Sequence, residues 1–81
     1  MRNSKPSLAA LIADLHDEQV IVRKEAIRQL QQHYGIQALP ELEQGLYDSQ
    51  AAVRLEAVKA LKQLKQPQTI GALVSFLTDP S

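Results

Sequence analysis

The 81-residue sequence predicts an all-α protein, an α-solenoid fragment of about five antiparallel helices and two and a half repeats. Three observations carry this expectation. First, the chain repeats itself every 31 residues: Leu15, Asp17, Gln19, Val22, Arg23, Glu25, Ala26 and Leu30 return as Leu46, Asp48, Gln50, Val53, Arg54, Glu56, Ala57 and Leu61. Laying 8–34 over 39–65 gives 11 identities in 27 positions without a gap. Second, apolar residues fall at helical spacing throughout. Third, no stretch alternates apolar and polar residues over a useful length, and there is no Asn-Gly or Asp-Gly hairpin signal. A fixed period of this length marks stacked units, each burying its apolar face against its neighbours. A third copy opens at Leu77-Thr-Asp79, so the single domain 1–81 divides into units of about 8–34, 39–65 and 70–81.

The first helix carries Leu8, Leu11, Ile12 and Leu15 and is entered through Pro6 or Ser7. Asp17 breaks the pattern. The second helix holds Val22, Ala26, Ile27, Leu30 and Tyr34 on one stripe, and Gly35 suits the left-handed conformation at its end. The third carries Leu39, Leu42 and Leu46, with Pro40 tolerable only in its first turn. After a turn at Asp48-Ser49, the fourth shows Val53, Ala57, Val58, Leu61 and Leu64. Gln66-Pro67 ends it, and Ile70, Leu73, Val74 and Leu77 form the fifth. The β-branched run Val20-Ile21-Val22 is too short to outvote its helical surroundings.

Composition narrows the function classes. Nine basic side chains balance nine acidic ones, so no overall pull toward nucleic acid or a membrane surface is expected. Cysteine is absent, which removes disulfides and thiolate ligands and fits a reducing cytoplasm. The opening Met-Arg-Asn-Ser-Lys-Pro contains no apolar stretch long enough for a signal peptide or a membrane span. A cytoplasmic protein is the expectation.

The recurring leucines are packing positions, and Ala26 and Ala57 recur where helices of adjacent pairs approach closely. The recurring charged pairs Asp17/Arg23 and Asp48/Arg54 read as a structural ladder. Each aspartate can accept from N–H groups opening the next helix, and each arginine can reach the aspartate of the neighbouring unit.

The string Leu-x-Asp-x-x-x-x-Val-Arg-x-x-Ala-x-x-x-Leu, written over Leu15–Leu30 and again over Leu46–Leu61, resembles the HEAT repeat. More narrowly it is similar to the short bacterial subtype of phycobilin lyases. The segment Gly35-Ile-Gln-Ala38-Leu39-Pro40-x-Leu42 fits that subtype, whereas Gln66 stands where a second turn glycine belongs. The resemblance covers nearly the whole chain. It implies an α-solenoid serving as scaffold or adaptor, with an accessory role in phycobilin attachment or light-harvesting assembly as the narrower implication.

No catalytic constellation stands out, and none is expected. His16 and His33 lie 17 residues apart without a carboxylate or thiol at ligand spacing, so we expect no metal. Gly35, Gly45 and Gly71 are isolated, not a phosphate loop, and no cofactor is implied. Charge is asymmetric, however. Helices two and four are basic through Arg23, Lys24, Arg28, Arg54, Lys59, Lys62 and Lys65, while helices one, three and five and their turns are acidic. By analogy with HEAT stacks, the concave face is assigned to helices one, three and five and the outer face to the basic pair. Nucleic-acid binding by the basic side is a third reading, against which the lack of interspersed aromatics argues. Val74 and Phe76 stand where helix three has Glu43 and Gly45, forming an apolar patch that a second copy, another protein or a fold-back would cover. The expectation is a protein-binding module without catalysis. Its contacts are Tyr47, Val74 and Phe76, with Glu41 and Glu43 as polar selectors, and a homodimer through the C-terminal helix is one of its forms.

Overall fold

The chain enters its first helix through Ser7, whose Oγ accepts from the Ala10 N–H at 3.1 Å. This supplies one of the acceptors that a helix start lacks. Pro6 therefore precedes the cap rather than occupying the first turn. The computed structural model describes residues 5–65. Four helices order these residues: α1 (Leu8–Asp14), α2 (Val20–His33), α3 (Leu39–Gln44) and α4 (Ala51–Leu64). Single 3₁₀ turns lie at Gly35–Ala38 and Gly45–Tyr47, and no strand occurs among the described residues. The fifth helix expected at 70–77, with Val74 and Phe76, lies outside the described residues.

The β-branched run Val20-Ile21-Val22 forms the first turn of α2. A penalty of a few tenths of a kcal/mol per residue is small beside the burial of the stripe that follows. Gly35 takes φ +53°, as expected of a residue turning the chain after a helix. The 3₁₀ turn then delivers the chain into α3 with Pro40 in its first turn. The third helix departs from expectation in one respect: it ends at Gln44 and tightens to 3₁₀ geometry, so Leu46 reaches the core from a tighter turn. At the end of α4 the left-handed residue is Lys65, φ 53°, one register earlier than Gly35.

The core is aliphatic and sits between the two helix pairs. Leu11, Ile27, Leu30, Leu42, Leu46, Val53, Ala57 and Leu61 are all buried, with Leu8, Leu15, Tyr34, Leu39 and Val58 packed around them. Gly45 marks the tightest approach. A Cβ there would stand 2.8 Å from Ile27 Cδ1 and 2.9 Å from Ala57 Cβ, so α2, α4 and the end of α3 meet around a residue with no side chain. Tyr34 fastens the N-terminus. Its hydroxyl donates to the Pro6 carbonyl at 2.7 Å, and the Lys5 ammonium lies 4.5 Å from its ring centroid.

Candidate interaction surfaces

The turns opening α2 and α4 are built alike. Asp17 Oδ1 accepts from the Gln19 N–H at 2.8 Å, and Asp48 Oδ2 from the Gln50 N–H at 2.9 Å. In both cases the donor is the residue capping the helix rather than one inside it. Arg23 Nη1 donates back to the carbonyls of Asp17 and Glu18 at 2.7 and 3.1 Å. Arg54 Nη1 does the same to the Asp48 carbonyl at 2.7 Å. Arg23 also reaches forward to the next unit, where Nε meets Asp48 Oδ1 at 2.8 Å and Nη2 meets Oδ2 at 3.1 Å. The side chains of this two-bonded pair are only 12% and 14% exposed, so water competes weakly. Burial pushes the Asp48 carboxyl up. The Arg23 hydrogen bond, the Gln50 N–H and the charges of Arg23 and Arg54 outweigh it and hold the group below its ordinary 3.8.

Beside this pair a small cleft opens at the turn edge. Leu15 and His16 form one wall, Glu41, Gln44, Tyr47 and Asp48 the other, and Ile27 and Val53 line its apolar part. Its volume is about 140 Å³. That is below the ~300–1,000 Å³ of small-molecule sites, so it suits a partner's side chain better than a cofactor. Tyr47 is 78% exposed and Glu41 half-buried.

A second, wider groove runs between α2 and α4. Arg28 and Gln32 line it from α2, Glu56, Lys59 and Gln63 from α4, with buried Ala60 between them. The sequence profile of HEAT repeats matches residues 8–81. The chain belongs to the HEAT-repeat family. HEAT repeats generally mediate protein–protein interaction and are typically non-catalytic. No curated protein and no solved structure matches the sequence.

Within this HEAT stack, Glu41 and Tyr47 come together in the turn-edge cleft. Glu43, also half-buried, does not line it, and Val74 and Phe76 lie outside the described residues. His16, exposed in its turn, joins the cleft wall. The α2–α4 groove was not anticipated, although the recurrence of Gln32 as Gln63 signalled it. Glu25 partners Arg28 at 3.5 Å on the exposed face of α2. Among the described residues no three His, Asp or Glu side chains gather as metal ligands, and no helix is long and apolar enough to cross a membrane.

Proposed function

We propose that the chain is a small HEAT-repeat interaction module that binds a partner protein through its helical surface, without catalysis of its own. The observation that carries this reading is Tyr47. An aromatic side chain, 78% exposed at the rim of a partly apolar cleft, is the residue type that contributes most when a partner covers it. Glu41, in the same cleft, selects for a basic or hydrogen-bond-donating group beside it. The test is capture from cell extract on the immobilised chain, compared with Tyr47→Ala and Glu41→Lys. A protein retained by the parent and lost by both variants supports the cleft. Equal retention by all three moves the site elsewhere, and retention no greater than on bare support overturns the reading.

Glu43, Val74 and Phe76 are further contacts of this reading, and Glu43→Lys combined with Phe76→Ala tests them in the same assay. Phe76→Asp asks whether two copies associate through the C-terminal segment, since light scattering then reads a dimer turned monomer. The narrower reading, an accessory of phycobilin attachment, is supported by the Gly35–Leu42 motif alone. It predicts an absorbance change on mixing with bilin.

A further inference from the structure

Inside the molecule one face of a repeat unit is already covered, and what covers it is visible. The second unit presents Gly45, Asp48, Val53 and Ala57, and α2 of the first unit packs along α4 beside them. Two side chains of α2 make the specific contacts. Arg23 holds Asp48 by two hydrogen bonds, and the Ile27 tip takes the space that a side chain at Gly45 would need. Residues four apart share a helix face, so the two act as one two-pronged grip. Val53 is left only 1% exposed.

One repeat earlier the first unit presents the same face, with Asp14, Asp17, Val22 and Ala26 in the registers of Gly45, Asp48, Val53 and Ala57. Nothing among the described residues covers it. Val22 is half-buried where Val53 is sealed, and Ile21 is 64% exposed. The Asp17 carboxylate accepts from the Gln19 N–H as Asp48 does from Gln50, but no arginine among the described residues meets it. A groove of about 290 Å³ opens here between α1 and α2. Leu11, Ile21, Val22 and Ala26 form its apolar part, Asp14 and Glu25 are its charged residues, and no lysine or arginine lines it. Glu25 has Arg28 at 3.5 Å, whereas Asp14 has no cation among the described residues.

We propose that this α1–α2 face docks a basic helix of a partner protein, one that carries an arginine and, four residues later, a lysine beside apolar residues. The helix lies along α2 as α2 lies along α4. Its arginine takes Asp17 in the two-bonded manner of Arg23 on Asp48. The second prong differs in kind from Ile27. Where Gly45 leaves room for an aliphatic tip, Asp14 places a carboxylate, and an aliphatic tip there would strip its water without supplying a partner. A lysine pairs that carboxylate with its ammonium while its stem packs on the apolar floor. Ile21 stands in the register of Ala52 and adds apolar rim that the inner interface lacks. These differences select against a second copy of this chain. Four residues after their arginines, α2 and α4 carry Ile27 and Val58, not a cation.

This proposal rests on the reading of the chain as a protein-binding module, but at a face separate from the Tyr47 cleft. The experiment is an NMR titration of the isotope-labelled chain with a sixteen-residue alanine-rich helical peptide. The peptide bears the arginine, the lysine four residues later and leucines on one face. Two comparison peptides move the lysine to the opposite face or replace it by isoleucine. The expected result is saturable shifts at the amides of Asp14, Ile21, Val22 and Ala26, and none at Tyr47. Either comparison peptide binds at least about fivefold more weakly, as does the first peptide to Asp14→Asn or to Asp17→Asn. Asp17→Asn keeps an oxygen for the Gln19 N–H, and neither aspartate belongs to the core, so both variants fold, which their unbound spectra verify. Asp14→Lys is expected to bind a peptide with glutamate in the lysine's place, a pairing that neither change alone permits. Absence of shifts at millimolar peptide overturns the proposal. Equal affinity for the displaced-lysine peptide also overturns it, leaving bulk charge attraction only. Tighter binding of the isoleucine peptide overturns it in favour of a further repeat unit or a second copy. Tyr47→Ala leaves this titration unchanged, and failure of the peptide leaves capture at the Tyr47 cleft untouched, so the two readings fail separately.

Discussion

Gly45 and Asp48, three residues apart, hold the two copies together in opposite ways, one by absence and one by charge. At Gly45 the two obstacles to a side chain differ in kind. The Ile27 tip can rotate aside, but Ala57 Cβ is fixed to the α4 backbone, so any Cβ pushes the helix itself. Gly45→Ala is expected to destabilise by about 1–3 kcal/mol despite alanine's better helix propensity. A thermal melt reads this as a fall of several degrees. At Asp48 the linkage has a definite sign. The native carboxyl sits below its ordinary 3.8, so the pair's stabilisation is complete above that value. It is withdrawn as pH falls through 3.8 and on through the lower native value. Asp48→Asn is expected to lower stability at pH 7 and to shrink the difference between melts at pH 7 and pH 3. An unchanged acid limb would mean that other carboxylates set it.

At the scale of helices, burial depends on which neighbour a face meets. Ile27 and Val58 share a register, yet Ile27 is fully buried, while Val58 is half-buried against the edge of the core. Val53 and Val22 show the same inequality in reverse. Leu61→Ala is therefore expected to cost about 2–5 kcal/mol and Val58→Ala distinctly less, as chemical denaturation would measure. Helix positions, the Gly35 turn and the leucine registers were legible because they depend on local period and backbone sterics. The inequality between copies was not, since a repeat gives identical residues different surroundings according to their place in the stack. Gly45 was missed for a related reason: its φ of −60° is ordinary, and only the approach of two distant helices makes it necessary. Of the candidate contacts, Glu41 and Tyr47 share a cleft because they sit six residues apart across the tightened end of α3. On an ideal helix Glu43, four residues before Tyr47, and not Glu41 would share its face, so the tightened end reverses the pairing that spacing suggests.

Across the whole molecule, the two helix pairs are joined at opposite edges by different means. The covalent crossing, Tyr34 to Leu39, lies where α2 ends, and the Arg23–Asp48 pair lies where α2 and α4 begin, roughly 20 Å away at 1.5 Å of rise per residue. The chain itself is thus the hinge of a book and the ion pair its clasp. Loosening the clasp, by acid or by removing either partner, weakens the fore-edge, which the packing of Gly45 against Ile27 and Ala57 still holds. His16, Tyr47 and Asp48 line the cleft at that fore-edge. A partner seated there would cover Asp48 and is expected to make the clasp harder for acid to loosen.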